Sequence, residues 1–320
     1  MQNNLEKIFS MENRTKYFVH FLVCIFIISA AVFLIFVASE MPSEKKEKVA
    51  HGPKINPFEN LVLEGKGIVV YDVINEREIF SKNPDLPLPL ASLTKVMTAV
   101  TTDGKLDDNQ EVKITKEDLA PEGDSKLVVG DTWKAKDLRD FTLLTSSNDG
   151  ALALAAVAES KENPAPSNLL DVREKFINEM NETASKIGLS NSKFFNEHGL
   201  DREADRGGAY GSAQDMAKLF EYTLKNYPQI LEATRYKNLE FASKNKKYDA
   251  ENTNVYIDKI PGLIASKTGY TDLAGGNLVI AFDAGLNRPI IVSILGSTQE
   301  GRFEDALKLV NATTKQISQK

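Results

Sequence analysis

The sequence predicts an α+β domain, with one antiparallel sheet built from both chain ends around a helical cluster, preceded by one membrane-spanning helix. Three observations carry this. Tyr17 to Ala38, "YFVHFLVCIFIISAAVFLIFVA", is 22 residues with only His20 readily titratable, and a bilayer core needs about 20 apolar residues. Towards the C-terminus, Gly276–Ala284 and Pro289–Ser297 are apolar runs separated by "GLNR", the pattern of a hairpin. Ile68–Asp72 and Arg77–Ser81 suit two short strands with a turn at Ile74–Glu76. Strands at both ends with helices between them close into one mixed domain.

Along the chain, residues 1–16 form a short polar tail and 17–38 the apolar span. The apolar region of a cleaved signal runs about 7–15 residues, and "VASEM" is a weak cleavage site, so an uncleaved anchor is favoured. Lys7, Arg14 and Lys16 precede the span while Lys45, Lys46, Lys48 and Lys54 follow it, so charge does not set its orientation. Residues 39–60 are charged and proline-spotted, a solvated linker. The domain proper is expected over 61–320. Within it Pro87 and Pro89 impose an extended approach to an apolar helix opening near Ser92. Glu111 to Trp133 reads as irregular with short strands. Helices follow over Lys136–Leu144, Ala151–Glu159 and Val172–Ile187, the last stopped by Gly188, with "SKENPAPSN" a loop between the second and third. Ser212 caps a helix through Leu224, and Phe303–Ile317 is a terminal amphipathic helix.

Composition excludes several classes. A formal net charge of −6 with no basic stripe argues against nucleic acid. Cys24 is the single cysteine and lies inside the apolar span, so no intramolecular disulfide forms. No metal cluster or cofactor motif stands out, and about 260 residues can build a core without either.

Chemistry concentrates in three stretches. Ser-x-x-Lys occurs four times, at Ser43/Lys46, Ser92/Lys95, Ser190/Lys193 and Ser243/Lys246, and only Ser92/Lys95 opens an apolar helix. Residues i and i+3 share a helix face, and burial beside a helix N-terminus lowers a lysine pKa. A neutral amine there can take a serine proton. Taken alone, a capping serine with a snorkelling lysine explains the pair better. "LLTSSNDGALALAA" adds Ser146 and Asn148 in a polar turn between apolar helices, where ordinary capping is the rival reading. "IASKTGYTD" adds Lys267, Thr268 and Gly269 on a strand suited to a carboxylate-ended peptide, with glycine leaving room for a close backbone.

In order and spacing these three stretches resemble the penicillin-recognising serine enzymes, whose pattern is Ser-x-x-Lys, Ser-x-Asn, Lys-Thr-Gly. The flanks "YDVINEREIFSKNPDLPLPLASLTKVMTA", "KFINEMNETASKIGLSNSKFFNEHGLD", "GSAQDMAKL" and "PGLIASKTGYTDLAGGNLVIA" are similar to the low-molecular-mass D-alanyl-D-alanine carboxypeptidases, over about Gly67 to Ile317. The resemblance implies a β-lactamase/DD-peptidase-like fold and no cofactor. It implies that Ser92 is the acylated nucleophile, Lys95 its general base, Ser146 a proton shuttle and Asn148 a partner of the substrate amide. Lys267 and Thr268 would hold the terminal carboxylate, and the N–H groups of Ser92 and Tyr270 the oxyanion. Arg302 matches an arginine often near that carboxylate, or is simply a first-turn helix residue. His198, in a turn resembling the family's Asn-Pro-His-Gly-Leu, is read as structural. Glu197 replaces that proline, and Ser266 an apolar residue.

The implied substrate is a peptidoglycan stem peptide ending in D-Ala-D-Ala, with β-lactams as covalent inhibitors. Peptidoglycan lies outside the cytoplasmic membrane, which places residues 1–16 inside. The chain ends soon after the expected domain, so the N-terminal span is expected to be the anchor. A D-alanyl endopeptidase uses the same residues. A class A-like β-lactamase needs an activating glutamate, for which Glu174 with Asn178 has the right spacing on what reads as an ordinary amphipathic helix. A non-hydrolytic β-lactam sensor needs an output module, and 16 residues before the span are short for one.

Overall fold

The computed structural model describes residues 2–40, 56–123, 126–162 and 169–319. Residues 41–55, most of the expected linker with Ser43 and Lys46, and loop residues 163–168 lie outside them. Two compact units result, residues 1–54 and 55–320. Among its described residues the first is one helix, α1 (Gln2–Glu40), whose segment Phe18–Val37 has a mean hydropathy of 2.9. This segment fits a membrane anchor or a signal sequence.

In the second unit β1 (Gly67–Asp72) and β2 (Arg77–Lys82) form the expected hairpin. Next come β3 (Leu88–Pro89), a 3₁₀ turn over Ala91–Leu93, and α2 (Thr94–Asp103). β4 (Glu111–Lys113) and β5 (Thr132–Lys134) pair with each other. Then α3 (Ala135–Thr145), α4 (Asn148–Glu162) and α5 (Leu169–Ile187) run in succession. β6 (Lys193–Phe194) and β7 (Ala209–Gly211) precede α6 (Ala213–Asn226) and the short α7 (Pro228–Leu231). β8 (Asn238–Ala242) and β9 (Lys247–Glu251) make a separate hairpin. The chain closes with β10 (Leu263–Thr271), β11 (Gly275–Asp283), β12 (Pro289–Ser297) and α8 (Gly301–Ser318).

The main sheet has the order β10-β11-β12-β1-β2, all antiparallel, so both ends of the unit meet where β1 pairs with β12. Its central strands are buried on both faces, and the period of two assigns alternate residues to two cores. Val69, Val279, Ala281 and Ile291 face the cluster of α2 to α6. Ile68, Val70, Ile280 and Val292 face α8 through Phe303, Leu309 and Val310. The result is helices, sheet and one helix in three layers. Ser212 accepts the Asp215 N–H at 3.1 Å, the cap expected for α6.

Two features were not read from the pattern. The β8–β9 hairpin alternates Leu239, Phe241, Tyr248 and Ala250 with mostly polar or charged residues, and its apolar side packs on Trp133 and Phe141. The α-helix proper starts at Thr94, so Ser92 precedes it, in the 3₁₀ turn.

Candidate active site

α2 is buried from Thr94 to Thr102, as expected of a helix with little polar face. It enters the core from a strained turn: Ala91 has φ +48°, a left-handed value that costs a non-glycine residue about 1–2 kcal/mol. Long-range hydrogen bonds hold the turn. The Asn277 side-chain amide of β11 donates to Pro89 O and Leu90 O at 2.9 and 3.0 Å. The room expected at Gly269 for a substrate is filled on one side by the chain itself, since a Cβ there would lie 2.8 Å from Leu90 O and 3.2 Å from Ser92 N. Gly269 therefore seats the strand β10 against the Ser92 turn.

In a 3₁₀ turn side chains three apart eclipse, and Ser92 Oγ lies 2.9 Å from Lys95 Nζ. Lys95 is 1% exposed. Its Nζ also reaches Asn148 Oδ1 and the His198 carbonyl, each at 2.7 Å. Burial first, then the charge of Lys267, hold Lys95 well below the usual lysine pKa, outweighing the Asp149 carboxylate. A neutral amine has two N–H donors and one lone pair. Two carbonyl oxygens take the donors, which leaves the lone pair for the Ser92 hydroxyl.

The polar turn divides its labour between neighbouring serines. Ser146 ends α3 in the left-handed region, φ +64°, and its Oγ accepts from Lys267 Nζ at 2.8 Å. Ser147 does the capping, its Oγ accepting the Gly150 N–H at 2.9 Å. Asn148 spans the site, because its amide nitrogen donates to Glu122 O at 2.6 Å, which turns its oxygen to Lys95.

On β10 Lys267 is 1% exposed and also donates to Thr268 O at 2.9 Å. Burial, then Arg302, pull its pKa down to about 7. Arg302 is indeed a first-turn residue of α8, but it points inward and donates to Gly269 O at 2.7 Å. Thr268 and Thr253 hydroxyls lie 2.6 Å apart. Tyr270 is 45% exposed at the far end of β10. Ser266 ties β10 to the 232–235 turn through Thr234, at 3.1 Å for both its N–H and its hydroxyl.

The His198 ring accepts the Leu200 N–H at 3.1 Å, and burial holds its pKa at about 3. What reaches Lys95 is its carbonyl, and Glu197 O likewise accepts from Thr98 at 2.6 Å. Gly199, at φ +87°, packs against Ala91 O. Glu197 is buried and forked to Arg173, at 3.0 Å on both oxygens. Ser92, Lys95, Ser146, Asn148, Lys267 and Arg302 are thus linked through one chain of contacts by Thr268 and Gly269. The sequence reading missed Thr253, Asn277 and the His198 carbonyl. A backbone oxygen leaves no mark in sequence, and the other two are polar residues whose partners are remote. Glu174 and Asn178 are exposed on α5, remote in role from this network.

Comparison with known proteins bears on family and fold. The chain is 30% identical over 259 residues to D-alanyl-D-alanine carboxypeptidase DacF of Bacillus subtilis, covering 78% of this chain and 62% of that protein, so it spans about three fifths of that relative's length. A D-alanyl-D-alanine endopeptidase of Pseudomonas aeruginosa is 27% identical over 259 residues, 79% of this chain and 78% of that one. The fold matches penicillin-binding protein D2 of Listeria monocytogenes in its ampicillin-bound form, with a TM-score of 0.66 and 27% identity over 79% of this chain and 98% of that chain. Residues 56–299 match the D-alanyl-D-alanine carboxypeptidase family, and the chain belongs to that family.

Proposed function

We propose that this protein is a serine-type carboxypeptidase that removes the terminal D-alanine of peptidoglycan stem peptides through an acyl-enzyme on Ser92. The observation that carries the reading is the buried Lys95 amine, with both donors occupied by carbonyls and Ser92 Oγ at 2.9 Å. Ser92 attacks the carbonyl between the two D-alanines as Lys95 takes its proton. The Ser92 and Tyr270 N–H groups receive the oxyanion. Ser146, 2.8 Å from Lys267 Nζ, returns a proton to the leaving amine, while Asn148 holds the peptide amide. Lys267, Thr268 and Arg302 hold the departing carboxylate. Water, activated by the same amine, then frees the acyl group. β-Lactams acylate the same oxygen, in keeping with the ampicillin-bound state of the Listeria monocytogenes protein. Exposure of Glu174 speaks against the class A-like mechanism.

The apolar segment Phe18–Val37 supports anchoring through residues 17–38 in the cytoplasmic membrane, with 1–16 inside and 61–320 outside, where the substrate lies. A D-alanyl endopeptidase is the second reading, favoured by the relative of that name in Pseudomonas aeruginosa.

The test is to incubate the detergent-solubilised chain with pentapeptide and with cross-linked dimer and measure D-alanine and monomer release. D-alanine from pentapeptide is expected. Cleavage of the dimer alone moves the assignment to endopeptidase, and no product from either refutes both. Ser92→Ala is expected to lose covalent labelling by fluorescent penicillin while keeping its melting temperature.

A further inference from the structure

The lone pair of Lys95 points at Ser92 only while both acceptors of its N–H groups stay in place. Asn148 Oδ1 is one, fixed by the bond of its own amide to Glu122 O. The other is a main-chain carbonyl, His198 O, which can sit no more firmly than the turn that carries it.

Three consecutive residues of that turn grip α2 and its approach. Glu197 O accepts from Thr98 Oγ1 at 2.6 Å, His198 O accepts from Lys95 Nζ at 2.7 Å, and Gly199 packs against Ala91 O. Asn196 closes the turn on itself, accepting the Gly199 N–H at 2.6 Å and donating to Leu200 O at 2.9 Å. The His198 ring also bonds locally, to the Leu200 N–H. Among the described residues, Glu197 has the only side chain from 196 to 199 that bonds to a distant element, and that element is α5.

Glu197 stands where the turn it resembles carries proline, whose ring fixes φ. A glutamate lacks that constraint, and its side chain is 1% exposed, where a carboxylate needs a partner. Arg173, near the start of α5, supplies one through two parallel bonds, Nε to Oε1 and Nη2 to Oε2, each 3.0 Å. A two-point fork between planar groups sets orientation as well as distance. It therefore fixes the residue whose own carbonyl meets Thr98 and whose neighbour's carbonyl meets Lys95.

We propose that Arg173 and Glu197 are positioning residues for acylation, their buried fork holding the turn whose His198 carbonyl orients the Lys95 amine. This rests on the carboxypeptidase reading and extends it to α5. With the fork broken the turn shifts, the Lys95 N–H loses its acceptor and the lone pair turns away from Ser92 Oγ. Acylation slows, while the groups that recognise the ligand on β10 and at Asn148 stay in place. Arg173 also lines the cavity beside His198 and Tyr270, so rate and binding have to be read separately.

The test follows acylation of the detergent-solubilised chain by fluorescent penicillin over a concentration series, giving a limiting rate and a half-saturating concentration, with a thermal melt of each variant. Arg173→Gln is expected to lower the limiting rate about tenfold or more, since misplacement by about 1 Å costs about 100-fold. Its half-saturating concentration is expected to stay within about twofold. The same change leaves a buried carboxylate unpaired and lowers the melt. Combining it with Glu197→Gln removes that charge, and the double variant is expected to regain stability and remain slow. Arg173→Lys keeps the cation without the fork and is expected to give a limiting rate between those of the parent and Arg173→Gln. A stable double variant or a lysine variant that acylates at the parent rate overturns the proposal. So does a loss carried by half-saturation with the limiting rate intact. D-alanine release by the parent reports separately on the carboxypeptidase reading.

Discussion

Gly199→Ala tests whether the carbonyl of a turn helps to make Lys95 a base. A Cβ at position 199 would stand 1.9 Å from Ala91 O and 2.7 Å from Thr94 Oγ1, whereas contacts under 3.0 Å are essentially never seen. The shortfall against Ala91 O is 3.0 − 1.9 = 1.1 Å, and the neighbour is backbone, so one of the two turns has to move by about that distance. The Lys95 acceptor at His198 O is 2.7 Å away and one residue from the substitution, so the move breaks that bond. Misplacement of a catalytic group by about 1 Å lowers a rate about 100-fold, and φ +87° adds about 1–2 kcal/mol of backbone strain. Gly188→Ala is the matched control, since φ there is +81° but nothing lies within 4 Å of the added Cβ. Acylation by fluorescent penicillin, followed in time with a parallel thermal melt, separates the two. Both variants are expected to lose stability, with slow acylation confined to Gly199→Ala. Acylation of the folded Gly199→Ala chain at the control's rate would refute the role given to this carbonyl.

The neighbouring serines and the buried lysine of β10 carry the other expected outcomes. Ser147→Ala removes the α4 cap and is expected to lower stability by about 1 kcal/mol with turnover retained. Ser146→Ala is expected to keep the melt and lose about 100-fold in D-alanine release; the reverse pattern would exchange the two roles. Lys267, held at about 7 by burial and by Arg302, sheds its charge as pH climbs past about 7, so KM for carboxylate-ended peptides is expected to rise there. Arg302→Gln removes a neighbouring cation and is expected to raise KM throughout and move the rise to higher pH; a move to lower pH would contradict the electrostatic origin. The same shift works on folding. With the folded value near 7 and the ordinary one at 10.5, burial of Lys267 opposes folding fully below about pH 7, and that opposition fades as pH rises to 10.5.

Local pattern was enough for the α+β layout. The β11–β12 hairpin, the Ser212 cap and the amphipathic faces of α5 and α8 each follow from residues within one element. The β8–β9 hairpin escaped because its strands are five residues each and, at alternate positions, largely polar or charged (Asn238, Glu240, Lys247, Asp249, Glu251), a face that reads as a loop until Trp133 and Phe141 are brought beneath it. The pair Ser92 and Lys95 was legible as a motif, yet at the level of the segment a capping serine with a snorkelling lysine explained it better.

The sequence by itself determined which residue types stand at Ser92, Lys95, Ser146, Asn148 and Lys267, and that they sit on short elements in one apolar domain. Only the tertiary structure decided what those groups are chemically. Ser146 and Ser147 are alike as residue types, the Ser-x-Asn resemblance singles out Ser146, and only the turn geometry puts it on Lys267 and Ser147 on a helix cap. Lys95 and Lys267 are ordinary lysines until the sheet closes over them. Their basicity is then set by lost water and by a nearby cation, Lys267 for Lys95 and Arg302 for Lys267, brought in from tens to hundreds of positions away.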